Sequence, residues 1–179
     1  VFSDDPRWRI EHAQIIDTFD IKLFNRKIIP SIQPTHATSD MYWAEERLGE
    51  NRLLGAYAYN DLLKRSGRIA LGTDFPVEEV SPLNTFYAAI ARKDSNQFPE
   101  EGFLFQNKLS RMDALKGMTL WGAYANFEES EKGSIEVGKF ADFIIMDRDI
   151  LDVSEKRILQ TRVVATILNG NVVYSNRIH

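Results

Sequence analysis

A chain of 179 residues, 44% apolar and 27% charged, is large enough for one cored domain of ordinary size and is not composed like a disordered segment. Its net charge of −4, from 22 basic and 26 acidic side chains, leaves no basic surplus for nucleic acid or an anionic membrane surface. No apolar run approaches the roughly 20 residues of a membrane helix, and the lack of cysteine excludes disulfides, thiolate zinc sites and a cysteine nucleophile.

The chain opens on Val1-Phe2-Ser3-Asp4-Asp5-Pro6, without Met and without the regions of a signal peptide, so a true beginning further upstream is expected. Residues 8–12, short, apolar-rich and bounded by Pro6, read as a first strand. Residues 17–26 carry Phe19, Leu23 and Phe24 with charges between them, the pattern of an amphipathic helix. A second strand is predicted over residues 28–32. Its Pro30 cannot donate to a ladder, which implies a strand start or an open edge. Two helices follow at residues 39–48 and 53–64, the second ended by Gly67. Residues 68–72 form a third strand, and residues 82–92 a helix with proline in its first turn.

This alternation predicts parallel strands joined by right-handed crossovers. Three such units make only part of a closed barrel, which usually takes about 250 residues. After a polar linker over residues 93–108, Ser110-Arg111-Met112-Asp113 has the form of a capping box, with its helix running to about Asn126. The character then changes. Residues 133–138 are turn-rich and residues 141–146 strongly apolar. Residues 163–168 and 171–174 flank Asn169-Gly170, the preferred type I′ turn of a hairpin. The expected division is residues 1–128 as a partial (β/α) barrel and residues 129–179 as antiparallel strands.

In parallel α/β proteins the carboxyl ends of the strands line the reaction site. His12 ends the first predicted strand, and His36 and Asp74 follow the second and third. A neutral imidazole at a strand end is a good zinc ligand; the alternative for His12 is a core histidine bonded to backbone. Asp74 can bind a metal or carry a proton, or it can cap the turn before Pro76. His36 can polarise a substrate group, or it is a loop histidine facing solvent. Glu11 points away from His12 by strand alternation and is left out. Arg47 and Arg52 read as a solvated helix face rather than an anion clamp, and His179 is assigned no role. No phosphate-binding glycine loop and no nucleophile elbow occurs.

Four segments together carry a resemblance: Arg9-Ile10-Glu11-His12-Ala13-Gln14, Ser31-Ile32-Gln33-Pro34-Thr35-His36-Ala37-Thr38-Ser39-Asp40-Met41, Leu71-Gly72-Thr73-Asp74-Phe75-Pro76-Val77-Glu78, and Lys132-Gly133-Ser134-Ile135-Glu136-Val137-Gly138-Lys139-Phe140-Ala141-Asp142-Phe143. The chain resembles the carboxyl-terminal part of a metal-dependent amidohydrolase, in the N-substituted formamide deformylase-like branch. The resemblance implies an α/β fold: strands 6 to 8 of a (β/α)8 barrel with their helices, plus carboxyl-terminal antiparallel strands of a small β-sandwich built from both chain ends. It makes His12 the metal ligand of the sixth strand and Asp74 the ligand and proton carrier of the eighth. His36, after the seventh, becomes a substrate contact that steadies the tetrahedral oxyanion. The implied cofactor is a divalent metal, zinc by preference, as one or two ions. The implied substrate is a small-molecule amide with a non-peptide C–N bond, hydrolysed by water that the metal makes acidic near neutral pH.

The chain also departs from the family pattern. The paired histidines of the first strand, the fourth-strand ligand and the fifth-strand histidine have no counterpart here. Affinity depends on ligand count, so the chain by itself is expected to bind metal weakly and to be inactive. A second expectation, of another class, is a non-catalytic remnant that acts as an interaction or regulatory module. In either case open strand edges favour self-association, or pairing with a missing amino-terminal part of the same protein.

Overall fold

The computed structural model describes residues 4–176. It contains two three-stranded sheets, one parallel and one antiparallel. In the first, β1 (Trp8–Glu11), β2 (Ile28–Ile32) and β3 (Ala70–Leu71) lie in the order β1-β2-β3. Both pairings are parallel, with Trp8 level with Ile28 and Ile32 level with Leu71. All three carboxyl ends therefore reach the same side of the sheet.

The middle place belongs to the strand with the proline, contrary to the expectation of an edge or a strand start. The hydrogen-bond pattern explains how this is tolerated. Gly72 N–H donates to the Ile32 carbonyl at 3.0 Å, so the even-numbered residues of β2 turn their backbone groups towards β3. β3 pairs only with Ser31 and Ile32. Position 30 would next donate to the Arg68 carbonyl. Proline cannot, and that carbonyl accepts from the Ser66 hydroxyl at 2.5 Å instead.

Between β1 and β2 the expected amphipathic helix is absent; a single 3-10 turn, Ile21–Leu23, stands in its place. Local side-chain bonds compete with the helix here. Asp17 accepts from the Phe19 N–H at 2.8 Å, and Asn25 from the Lys27 N–H at 2.9 Å. Phe24 is buried and Ile21 packs against the core, but Phe19 is 75% exposed and Leu23 60% exposed, so the predicted apolar stripe does not bury as one face.

Three helices, not two, connect β2 to β3. They are α1 (Pro34–Asp40), α2 (Ala44–Leu53) and α3 (Tyr59–Ser66), the last ended at Gly67 as expected. Pro34 in the first turn of α1 starts it five residues earlier than the sequence pattern suggests, because the missing N–H costs nothing there. α4 (Pro82–Ala91) lies against α1 and supplies a run of buried side chains from Thr85 to Ala91. Ile32, Tyr57, Leu62, Ile69, Phe86 and Ile90 form the centre of the core.

The helix expected to reach Asn126 breaks at Thr119 (φ −126°, ψ −92°) into α5 (Arg111–Met118) and α6 (Leu120–Ala125). Its cap forms at Ser110, whose hydroxyl accepts from the Asp113 N–H at 3.0 Å. The same hydroxyl donates to the Asp113 carboxylate at 2.6 Å, so the box closes on the side chain and not on the Ser110 N–H.

The tail is antiparallel, as expected: β4 (Phe143–Met146), β5 (Val163–Leu168) and β6 (Asn171–Ser175). Asn169 and Gly170 both have positive φ (47° and 76°), the backbone that a type I′ turn needs. Between β4 and β5 a short helix that the sequence pattern did not suggest, α7 (Glu155–Ile158), places Ile158 in the main core beside α4. The sheet itself is uncovered: Ile144, Val172 and Val173 are 46%, 65% and 58% exposed. Among the described residues no helix is long and apolar enough to cross a membrane.

Candidate metal centre

Each strand of the parallel sheet delivers one polar side chain to the same end. His12 is the first residue past β1, His36 lies in the first turn of α1 behind β2, and Asp74 follows β3 by three residues. Two of the three sit on unusual backbone: His12 has φ 66° and Asp74 φ 57°. Non-glycine residues rarely adopt this left-handed region, and such residues cluster where a side chain must be aimed.

The three converge. His12 Nδ1 is 4.0 Å and His36 Nε2 3.7 Å from the same Asp74 oxygen, Oδ2. The imidazole rings stack with centroids 5.9 Å apart. One donor atom from each residue lies within 4.8 Å of the other two. These separations are too long for hydrogen bonds, so the three groups surround a gap and do not bond across it. Buried His36 Nε2 has no hydrogen-bond partner among the described residues. A buried ring nitrogen left bare costs free energy unless something fills the gap it faces. Two imidazoles and a carboxylate are a fitting donor set for a catalytic zinc or a similar divalent ion. The His12 side chain is 50% exposed and that of Asp74 36%, which leaves one side of the gap open to solvent.

Local structure narrows the alternatives drawn from sequence. His36 is buried in a helix, not exposed in a loop. His12 bonds a side chain and not backbone: its Nδ1 is 2.8 Å from Gln33 Oε1. The turn after Asp74 is capped by its neighbour, since Thr73 Oγ1 accepts from the Phe75 N–H at 3.2 Å. Glu11 stays outside the cluster and pairs with Arg9 at 3.1 Å. The reason is not strand alternation, because His12 already lies beyond the strand. Arg52 folds back onto the Leu48 and Arg47 carbonyls, and both arginines stay on the exposed face of α2. His179 lies outside the described residues.

Residues that the sequence reading passed over surround the trio. Gln33 is only 7% exposed, an uncommon setting for a glutamine and one that no periodicity announces. Asp40 accepts from the Gln14 amide at 2.7 Å and from the Tyr57 hydroxyl at 2.8 Å. Burial pushes the Tyr57 hydroxyl well above its ordinary range, with the Asp40 carboxylate adding to the shift, so the phenol stays protonated and acts as donor.

The amidohydrolase family model matches residues 2–174. The chain belongs to the amidohydrolase family. Among its relatives, Protein LONG AFTER FAR-RED 3 of Arabidopsis thaliana is 31% identical over 172 residues, covering 95% of this amidohydrolase chain and 29% of the plant protein. The N-substituted formamide deformylase of Arthrobacter pascens is 30% identical over 127 residues, covering 70% of this chain and 23% of the deformylase. A solved structure, a metal-dependent hydrolase from Pyrococcus horikoshii OT3, superposes with TM-score 0.71 at 32% identity, over 82% of this chain and 30% of that one. This amidohydrolase chain therefore spans under a third of the length of each of these relatives.

Proposed function

We propose that this amidohydrolase chain carries part of the centre of a metal-dependent hydrolase acting on amide-type, non-peptide C–N bonds of small molecules. Its parallel strands then correspond to strands 6 to 8 of a (β/α)8 barrel, and β4 to β6 to strands of a small β-sandwich. The observation that carries the reading is the bare, buried Nε2 of His36 facing the oxygen that His12 also faces. His12, His36 and Asp74 would hold the ion, zinc by preference. In this reading His36 is a third ligand, in place of the substrate contact expected from sequence.

A bound divalent ion would polarise the scissile carbonyl and acidify a water at neutral pH. The chain's own residues do the rest. Asp74 turns Oδ2 to both imidazoles, which leaves Oδ1 to take a proton from the attacking water and deliver it to the departing nitrogen. Gln33 Oε1 accepts from His12 Nδ1 at 2.8 Å, so His12 would coordinate through Nε2, and a supporting bond of this kind sets a ligand's tautomer and direction.

Titration of the chain with zinc tests the centre. The expected result is one ion per chain, with His12→Gln and His36→Gln each weakening it by more than the roughly 10–100-fold typical of a lost supporting residue. Tight uptake would support a competent centre in the chain by itself. A chain that takes up no zinc would show that it holds none alone, and would favour a non-catalytic remnant or a fragment of a longer enzyme.

One structural observation bears on partners. β1 and β3 are open edges of the parallel sheet, and the antiparallel sheet exposes Ile144, Val172 and Val173. Unpaired edges of this kind promote association. We therefore propose self-association of the chain, or pairing with an amino-terminal part of the same protein. Light scattering of the chain alone is expected to give a mass above the 20.6 kDa monomer. A monodisperse monomer would rule self-association out.

A further inference from the structure

We propose that Asp40 is a positioning residue for the centre, one carboxylate oxygen holding the turn that carries His12 against the helix that carries His36. The inference rests on the metal-centre reading above. Asp40 lies one helical turn beyond His36 on α1. Its Oδ2 accepts from Gln14 Nε2 at 2.7 Å and from the Tyr57 hydroxyl at 2.8 Å. Gln14 stands two residues after His12. Tyr57 is tied to the same turn by backbone, its N–H donating to the Gln14 carbonyl at 2.6 Å. A single oxygen thus gathers three stretches of chain: the His12 turn, the His36 helix and the segment before α3.

The turn needs such a hold. His12 and Ala13 are consecutive non-glycine residues in the left-handed region, at φ 66° and 39°, and each would relax to commoner backbone if unconstrained. The preceding strand is held by its backbone ladder to β2 but offers little side-chain restraint, because all four residues of β1 are exposed. Gln33 steadies the His12 ring from one side. On the other side, Gln14 finds its side-chain partners among the described residues in Asp40 and Tyr57. Asp40 does not belong to the donor cluster itself, so its effect on the ion runs through the placement of His12.

The test uses the whole chain with 15N-labelled histidine, wild type against Asp40→Ala and Gln14→Met. The second variant breaks the same link without removing a charge, should the first fail to fold. In metal-free protein the His12 imidazole signals are expected to shift and broaden in both variants while those of His36 hold. Cobalt(II) titration followed by visible absorption is expected to show affinity about 10–100-fold weaker, with Asp40→Asn, which keeps an accepting oxygen, recovering most of it. Unchanged His12 signals in a folded Asp40→Ala chain, or, should that variant not fold, in Gln14→Met combined with Tyr57→Phe, would overturn the role of Asp40. Wild-type chain that takes up no cobalt would instead show that the chain by itself holds no metal centre, and the histidine signals would still decide the positioning role.

Discussion

Asp74→Asn in the complete protein is expected to lower kcat by about 10²–10⁴-fold, the usual contribution of a positioned acid–base group. Asparagine keeps the size of the side chain and an accepting oxygen, but it neither takes a proton from water nor gives one to a leaving nitrogen. Stability should barely change. Asp74 has a 36% exposed side chain, and the two histidines lie 3.7 and 4.0 Å from its Oδ2. Substitutions at such surface positions usually stay within about ±0.5 kcal/mol. Bound metal must be measured alongside turnover, because Oδ2 faces both imidazoles and its replacement is expected to weaken metal binding as well. Loss of turnover at full metal occupancy isolates the proton-carrying role. Undiminished turnover would show that another group moves the proton.

Gly55→Ala should be the most destabilising single methyl group in the described chain. An added Cβ at residue 55 would lie 1.8 Å from the Ile16 carbonyl oxygen and 3.0 Å from its carbon. The obstacle is backbone, so no side chain can swing aside. The two segments are already laced together: Ile16 N–H donates to the Gly55 carbonyl at 3.0 Å, and Ile15 bridges to Ala56. Relief requires parting them, which pulls on the turn two residues upstream that carries His12. A loss above about 3 kcal/mol is expected, beyond the ordinary range for point substitutions. For a domain of this size that corresponds to a fall in Tm of about 6–12 °C. Thermal and denaturant unfolding check it. A loss below about 1 kcal/mol would mean that residues 14–16 shift freely.

The regular parts of this fold were written in residue patterns that act locally. Proline at the start of α4, the Ser110 cap and the Asn169-Gly170 turn each specify their geometry within a few residues, and each forms. The three polar side chains that follow the strands were legible for a related reason: parallel order alone sends the strand ends to one side. What could not be read depends on distant partners. The segment over residues 17–26 has helical spacing, but its Phe19 and Leu23 stay largely exposed, and nearby Asp17 and Asn25 offer the backbone other bonds. Arg92 is fully buried beneath the Tyr59 ring, with Nε donating to the Phe103 carbonyl at 2.9 Å; no pattern of charge along the chain foretells a guanidinium in the core. Gln33 and Asp40 escaped notice because a polar residue announces its partner only when the fold supplies one.

The proline in the middle strand has a consequence for how the sheet assembles. Were β3 to slide down by one residue pair, the Ala70 carbonyl would need a donor from position 30, and there is none. That slip would leave a buried oxygen bare and drop Asp74 by about 6.6 Å, out of reach of both rings. A ring that deletes one amide hydrogen thus acts as a stop for the last strand, and so sets the height at which a carboxylate comes level with an imidazole.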